Sequence, residues 1–311
     1  MSSLFADRLF NAIREKASPI CVGIDPIFDS FPDSIAGTVD KRNGNDVTEV
    51  LDAIFKFTTS VLNIVAPHVA CVKFQSAYFE KYLHEGVEAY YSLMQAANEL
   101  DLLVIGDVKR GDIGSTATAY AAAHLGDSMF DDHDDIHFPD AITVNPMLGM
   151  DTLDPFVKVA KDDCKGLFVL VRTSNPGSAE LQDVQLADGR TWSQMLATKV
   201  NTLATSPELM GRCGFSSIGA VVGATQTHTI EAIRKCLPHS YFLLPGYGAQ
   251  GATAEMTRAA FTNGQGALIS ASRSILYAHK EKKYADISTD WEKCVERAVL
   301  DMKADIAGIL K

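Results

Sequence analysis

The chain has 311 residues, of which 47% are hydrophobic and 22% charged, a balance that excludes a disordered chain, a coiled coil and a collagen-like fibre. Its net charge of −11 disfavours nucleic acid and anionic membranes as partners, although a small anion can still bind in a local basic pocket. No apolar run approaches the ~18 residues that span a bilayer, and the charges near the amino terminus do not fit a signal or transit peptide, so we predict a cytoplasmic protein.

The first predicted element is an amphipathic helix over residues 4–16. After it, short apolar runs rich in Val, Ile, Leu or Phe recur along the chain, as expected of strands that are buried on both faces. The eight runs are 20–24, 69–74, 102–106, 141–144, 167–171, 218–222, 241–244 and 267–269. The first and last runs start 247 residues and seven intervals apart, so the mean spacing is about 35 residues, the length of one strand and its crossover helix.

Segments with one apolar face at helical spacing lie between the runs. They are residues 47–65, 87–97, 191–204, 229–236, 253–261 and 290–306. This alternation predicts an α/β protein with a single (β/α)8 TIM barrel and an extra N-terminal helix, with residues 1–311 as one catalytic domain. Polar insertions at 28–46, 126–139 and 176–190 account for the excess length, and the second, which is acidic, is predicted to be a solvated loop. A doubly wound open sheet is the competing architecture.

The residues directly after each run are the candidate site residues, because function in a TIM barrel lies at the carboxyl ends of its strands. Seven of the eight ends carry polar or charged groups. In chain order the candidates are Asp25, Lys73, Gln75, Asp107, Lys109, Asp112, Thr116, Asn145, Ser174, Gln250, Gly251, Ser272 and Arg273.

The third strand end carries the sharpest signal. In an extended segment Asp107 and Lys109 point to the same side, and Gly111 permits a turn that can bring Asp112 back toward them. With Lys73 from the neighbouring strand, these residues form an alternating Lys–Asp–Lys–Asp array. Two carboxylates keep a lysine between them charged, which suits a proton donor and not a Schiff-base nucleophile. A structural salt-bridge network at the barrel mouth is the alternative interpretation.

A glycine-rich stretch follows the seventh run. Residues 246–251 match the GxGxxG motif of dinucleotide-binding folds. Arg273 stands 22 residues beyond Gly251, at a spacing where a residue that binds the 2′-phosphate of NADP could lie. A dinucleotide motif normally opens its domain, whereas backbone N–H groups after strands seven and eight of a barrel bind phosphate. The sequence therefore favours a phosphate site completed by Gln250 and Arg273.

Together these motifs resemble a known family. The pattern Asp107-x-Lys109-x-x-Asp112-Ile-Gly-x-Thr116 is similar to the signature of the orotidine 5′-phosphate decarboxylase family. The form VKRGDIGSTA, with TSNPG at 173–177 and PGYGAQG at 245–251, resembles its bacterial type-2 branch. The resemblance runs from residue 25 to residue 273, nearly the whole predicted barrel.

The resemblance implies a homodimer with shared active sites that converts orotidine 5′-phosphate to UMP and carbon dioxide, the last step of de novo UMP synthesis, with no cofactor and no metal. The catalytic residues that it implies are Lys109 as proton donor to C6, Asp107 beside the substrate carboxylate, Asp112 from the partner subunit, and Lys73.

The same resemblance implies a set of substrate contacts. Asp25 and Lys73 would hold ribose hydroxyls, and Gln75 stands where some relatives carry Asn. The remaining implied contacts are Thr116 near Asp112, Ser174 at the pyrimidine, and Gln250 and Arg273 at the phosphate. We place Asn145, Gly251 and Ser272 among the substrate-binding residues from their positions at the strand ends.

Three other functions stay open on the residues alone. The first is a magnesium-dependent phosphosugar decarboxylase, because such enzymes of the same superfamily share the DxKxxD pattern. The second is an NADP-dependent oxidoreductase, and the third is an inactive barrel that serves as a binding protein.

Overall fold

The computed structural model describes residues 3–39, 46–126, 136–248 and 251–310. Eight parallel strands follow one another in chain order around a closed barrel, and the last pairs with the first. The predicted TIM barrel is therefore confirmed, and the open doubly wound sheet is wrong. The strands are β1 (Ile20–Ile24), β2 (Cys71–Gln75), β3 (Leu103–Arg110), β4 (Ala141–Val144), β5 (Gly166–Arg172), β6 (Ser216–Val222), β7 (Ser240–Pro245) and β8 (Ala267–Ala271).

Helices surround the barrel. They are α1 (Phe5–Lys16), α2 (Asp33–Ala36), α3 (Val47–Val65), α4 (Ala77–Glu80), α5 (Leu83–Asn98), α6 (Gly114–His124), α7 (Asp154–Asp162), α8 (Ser178–Gln182), α9 (Trp192–Ala204), α10 (Thr227–Cys236), α11 (Ala254–Thr257), α12 (Arg273–Leu276), α13 (Lys282–Ala285) and α14 (Trp291–Ile309). Turns of 3-10 helix lie at Phe28–Ser30, Met150–Leu153, Arg258–Ala260 and Ala278–Lys280. Within the described ranges, no helix combines the length and apolar character that crossing a membrane requires.

The helices differ from the sequence patterns in a few places. Helices α6 and α7 are not among the predicted segments, and the segment predicted at 253–261 divides into α11 and a 3-10 turn. Two of the three polar insertions contain short helices, α2 in the first and α8 in the third. Most of the acidic insertion, residues 127–135, lies outside the described residues, as do residues 40–45.

The amino-terminal end of the barrel is closed by α1. Phe5 and Leu9 of this helix are buried among barrel-interior side chains. The Phe5 ring meets Phe168 of β5 edge-on, with the ring centroids 6.1 Å apart. A Cβ atom on Gly166 would lie 2.2 Å from the Phe5 ring, so only glycine lets the ring approach β5 this closely. Arg8 adds an ion pair with Asp140 at the foot of β4.

Toward the opposite end of the barrel, the pairing register between β3 and β4 shifts. Gly106 pairs with Ile142 and Arg110 pairs with Val144, so three residues of β3 lie opposite the single residue Thr143 of β4. Such a bulge redirects side chains at the end of a strand. Because of it, β3 runs to Arg110, four residues beyond the predicted end of the apolar run.

Candidate active site

A cavity of about 440 Å³ lies at the carboxyl ends of the strands. Its floor is apolar and is formed by Leu170, Val221 and Leu243. Its polar lining comes from the ends of seven strands, all except β6. The polar side chains are those of Asp25, Lys73, Gln75, Asp107, Lys109, Thr143, Thr173, Ser174, Asn175, Tyr247, Ser270, Ser272 and Arg273. A concave site with an apolar base and converging polar groups is typical of a small-molecule site at this face of a barrel.

Asp107 is the most heavily hydrogen-bonded side chain of the cavity. Its Oδ1 atom accepts from Lys109 Nζ at 2.6 Å and from Thr143 Oγ1 at 2.8 Å. Its Oδ2 atom accepts from Lys73 Nζ at 2.8 Å and from Gln75 Nε2 at 2.9 Å. Four donors on two oxygens hold the carboxylate in one orientation before any ligand binds.

The charges of this network reinforce one another. Burial alone would raise the pKa of Asp107, but the neighbouring ammonium groups of Lys73 and Lys109 lower that pKa well below its usual range. Burial likewise opposes the charge of Lys73, yet Asp107 and Asp25 together raise the pKa of this lysine above its usual range. Both side chains are therefore charged across the neutral pH range.

The lysine that lies between two carboxylates of the same chain is Lys73, with Asp107 at 2.8 Å and Asp25 at 4.0 Å. The sequence pattern predicts that place for Lys109, whose ammonium group pairs with one carboxylate among the described residues, that of Asp107. The two lysines also differ in access, since the Lys73 side chain is 8% exposed and the Lys109 side chain 45%. Lys109 is therefore the more accessible of the two ammonium groups to a bound ligand.

The backbone at Lys109 is unusual. Its φ angle of +46° lies in the left-handed region, which residues with a side chain rarely adopt. The Lys109 N–H donates to Thr143 Oγ1 at 3.0 Å, so a side chain of β4 takes the place of a backbone acceptor. Strained backbone of this kind concentrates at functional sites.

Sequence reasoning misses Thr143, which is 1% exposed and contacts both Asp107 and Lys109. The fourth run is identified by its apolar character, and that criterion ignores the one hydroxyl within it. A signal was available, because Thr143 is the only polar residue in β4.

Four predicted site residues within the described ranges do not line the cavity of this chain: Gly251, which follows β7, and Asp112, Thr116 and Asn145. Asp112 accepts a hydrogen bond from the backbone N–H of its neighbour Ile113 at 2.8 Å. Thr116 is exposed on α6. Asn145 is also exposed, and its Oδ1 accepts from the Met147 N–H at 3.0 Å. These side chains lie outside the group that the barrel itself brings together.

The described ends of the glycine-rich stretch lie close together after β7, since the Gly251 N–H donates to the Gly248 carbonyl at 2.9 Å. Gly246, Gly248 and Gly251 have φ angles of +116°, +69° and +84°, a region that suits glycine. The helix that follows, α11, has only four residues, and the motif falls in the seventh unit of a closed barrel. This context differs from the opening strand and long helix of a dinucleotide fold. Gly251 does not line the cavity, and Gln250 lies outside the described residues.

Beside this turn, Ser272 and Arg273 line the rim of the cavity. A Cβ atom on Gly23 of β1 would lie 1.9 Å from Ser272 Oγ, so any other residue at this position would force the Ser272 hydroxyl to move. Arg273 is exposed, and no described residue accepts a hydrogen bond from its guanidinium group. A cation with unused donors on the rim suits an anionic ligand.

The third insertion supports the end of β5, where Ser174 lines the cavity. Arg172 is buried and makes a two-pronged ion pair with Asp183 of the insertion, both distances being 2.8 Å. The Gln182 side chain accepts the Thr173 N–H at 2.7 Å. The insertion thus holds the strand end that presents Ser174.

Asp25 is fixed through its backbone. The Tyr277 hydroxyl donates to the Asp25 carbonyl at 2.9 Å and accepts the Ile27 N–H at 2.7 Å, so it joins the two sides of Pro26. The Asp25 Oδ1 atom is buried and accepts no hydrogen bond from the described residues. An acceptor left in this state is suited to a donor on a ligand.

Several known proteins are similar to this chain over nearly its whole length. A profile of the family described as "Orotidine 5'-phosphate decarboxylase / HUMPS family" matches residues 18–286. A protein of Rhodopirellula baltica named orotidine 5′-phosphate decarboxylase is 40% identical over 310 residues, which cover 98% of this chain and 99% of the relative. A protein of the same name from Clostridium novyi is 36% identical over 303 residues, covering 97% and 98%. The structure of Leishmania donovani OMP decarboxylase superposes with a TM-score of 0.72 at 26% identity, covering 99% of this chain and 98% of that one.

Proposed function

The chain belongs to the orotidine 5′-phosphate decarboxylase / HUMPS family and is a decarboxylase, and we propose that its substrate is orotidine 5′-phosphate and its products are UMP and carbon dioxide. This reaction would make it the last enzyme of de novo UMP synthesis, working in the cytoplasm. We further propose that the reaction needs no cofactor or metal and that Lys109 is the proton donor.

The observation that carries this proposal is the arrangement of Asp107 between two lysines. Lys73 is buried on one side, and Lys109 reaches into the cavity on the other. Decarboxylation leaves an electron pair on C6 of the pyrimidine, which the ring delocalises poorly. A fixed ammonium group beside C6 stabilises that charge as it develops, because it needs no reorganisation at the moment of reaction.

The proposed reaction has two steps, loss of carbon dioxide and protonation of C6. The C6–carboxylate bond breaks, carbon dioxide leaves, and the bonding pair stays on C6. Lys109 Nζ then gives one proton to C6, and the resulting amine recovers a proton from water. Asp107 would face the substrate carboxylate, so that the repulsion between the two carboxylates falls as neutral carbon dioxide departs.

The substrate contacts are proposed from the geometry at the cavity wall. Asp25 and Lys73 are placed to bind ribose hydroxyls, and the unused Asp25 Oδ1 acceptor supports this role. Gln75 already donates to Asp107, which leaves its carbonyl oxygen for the ribose. We assign the pyrimidine to Ser174 and the phosphate to Arg273, the turn at 246–251 and Gln250. Binding energy from the phosphate can then support chemistry at C6.

A homodimer with shared sites is also proposed. Asp112 does not line the cavity of its own chain, and the segments that follow the adjacent strands β3 and β4 expose apolar side chains: Ile113 is 63% exposed, Met147 64% and Leu148 58%. Exposed apolar groups clustered near a site are typical of an interface. A second subunit that covers them would carry its own Asp112 and Thr116 toward the neighbouring Lys109.

The reaction is tested by following the ultraviolet absorbance of orotidine 5′-phosphate with the purified chain, with and without EDTA. We expect turnover that EDTA does not change. Loss of activity in EDTA would support a metal-dependent phosphosugar decarboxylase, and thermal stabilisation by NADP together with no turnover would support an oxidoreductase.

The shared site is tested by mixing two inactive variants, Lys109→Ala and Asp112→Ala, under conditions that exchange subunits. If the two residues of one site come from different chains, each mixed dimer has one intact site. With statistical exchange the pool should then recover about a quarter of wild-type activity. No recovery, with exchange shown independently by mass spectrometry of tagged subunits, would place both residues in one chain.

A further inference from the structure

Thr143 stands alone opposite the bulge that carries the charged residues. Between the pairs Gly106–Ile142 and Arg110–Val144, β3 has three residues and β4 has only this one. A regular ladder would offer backbone acceptors to β3 at this level, and the bulge removes one. The hydroxyl of Thr143 replaces it by accepting the N–H of Lys109.

The hydrogen of this hydroxyl has only one direction available. The Asp107 carboxylate is ionised and can only accept, and the Lys109 N–H can only donate. Thr143 Oγ1 therefore accepts from the backbone of Lys109 and donates to the carboxylate that the Lys109 side chain also contacts. One buried atom thus fixes both the backbone of Lys109 and the partner of its ammonium group.

We propose that Thr143 is a positioning residue for the decarboxylation step, one that holds Lys109 in its left-handed backbone conformation and thereby places its ammonium group at C6. This inference rests on the proposed function of Lys109. Thr143 acts through Lys109 and Asp107 and does not itself transfer a proton. Valine has nearly the same shape as threonine, so Thr143→Val replaces the hydroxyl by a methyl group and keeps the rest of the side chain.

The test compares Thr143→Val with Thr143→Ser. The valine variant should lower kcat about 10- to 100-fold, as expected for the loss of a hydrogen bond to a charged group, and it should leave KM within about threefold. The serine variant keeps the hydroxyl and should retain kcat within about threefold of wild type. Thr58→Val is the matched control, because Thr58 is equally buried and its hydroxyl has no partner among the described residues.

Several results would overturn the proposal. The first is a Thr143→Val variant with wild-type kcat. The second is a Thr143→Val variant whose KM rises by as large a factor as its kcat falls. The third is a folded Thr143→Ser variant whose kcat is as low as that of Thr143→Val. If the valine variant does not fold, Thr143→Ala is measured in the same way, since it lacks the hydroxyl and adds no bulk.

Failure of the proposed function can be told apart from failure of this inference. If the wild-type chain does not act on orotidine 5′-phosphate, the proposed substrate is wrong, and crystal structures of wild type and Thr143→Val decide the positioning role. We expect the valine variant to lose the positive φ angle of Lys109 or the contact of its Nζ with Asp107. Retention of both would overturn the inference whatever the substrate.

Discussion

The two sides of the cavity mouth are built differently. On the side of β2, β3 and β4, Asp107 accepts four hydrogen bonds, and the groups around it are held by one another before a ligand arrives. On the side of β7 and β8, the glycine turn and Arg273 lie exposed at the rim, and the described residues offer the guanidinium no partner. We therefore expect the groups proposed for chemistry to be held by one another before a substrate binds, whereas Arg273 gains its proposed partner only with the phosphate.

The largest effect is expected on the fixed side. Lys109→Met should lower kcat about 10⁴-fold or more, because the substitution removes both the proton and the positive charge at C6. Methionine is unbranched and only one atom shorter than lysine, so folding and UMP binding should survive, and both are checked by thermal unfolding and calorimetry. Lys158→Met is the control, because the Lys158 side chain is exposed on the surface of α7. A variant that turns over at a near-normal rate would remove Lys109 from the mechanism.

The second prediction concerns stability on the same side. Asp107→Asn leaves the buried Lys73 with only Asp25 at 4.0 Å, so the free energy of unfolding at pH 7 should fall by about 3–5 kcal/mol. Because the folded pKa of Asp107 is lowered, its contribution is present above the unfolded value near 4 and is lost as the pH falls below it. The difference between the two proteins in urea unfolding should therefore shrink below about pH 4.

The control for this prediction is Asp188→Asn, which breaks an exposed ion pair with Arg190 and should leave stability unchanged. If Asp107→Asn were as stable as wild type at pH 7, the network would not be held together by its charges.

The third prediction addresses the other side of the mouth. Arg273→Ala should raise KM for orotidine 5′-phosphate by about 10- to 100-fold, the loss of a charge-assisted contact, and leave the free energy of unfolding unchanged. The phosphate-free nucleoside should be affected little. Arg258→Ala, at an exposed pair with Glu255, is the control for a general loss of positive charge. An equal increase in KM for both substrates would show that Arg273 does not bind the phosphate.

The smallest effect is expected at Asp25, whose backbone is held at the cavity mouth by the hydroxyl of Tyr277. Tyr277→Phe removes the hydroxyl that joins the Asp25 carbonyl and the Ile27 N–H, so it should cost about 1 kcal/mol of stability and raise KM a few-fold. Tyr90→Phe is a matched control, because the Tyr90 hydroxyl is buried without a partner among the described residues. A Tyr277 variant no different from this control would mean that Asp25 is positioned by other contacts.

The sequence predicts the strands well because each is buried on both faces and therefore reads as an apolar run. Helices α6 and α7 are missing from the predicted segments for different reasons. Helix α6 is rich in alanine and buries only Ala117 and Ala121, so its faces hardly differ in hydropathy. Helix α7 buries Phe156, Val157 and Ala160 on one face, so the sequence carries a helical signal there that the prediction does not use.

For the candidate site, position at a strand end identifies most of the side chains that line the cavity. The bulge at β3 and the contacts of Thr143 could not be predicted, because they depend on the register between two strands that are distant in the chain. The same limit applies to Asp112, because its position in the sequence does not show that its side chain lies outside the cavity of its own chain. Strand ends thus indicate where chemistry lies but not how the groups are oriented.

The closure of the barrel by α1 has a consequence for how the chain folds during synthesis. The Ala6 N–H donates to Ser217 Oγ at 3.3 Å, and Asp7 accepts from the Cys213 N–H at 2.9 Å. These partners leave the ribosome long after α1, since they lie 211 and 206 residues further along the chain. Until β6 is made, α1 lacks these two contacts, although its partners at β4 and β5 are already present, so a nascent chain at that stage leaves part of the helix uncovered. We therefore expect the docking of α1 to be completed late in synthesis, when β6 joins the ring.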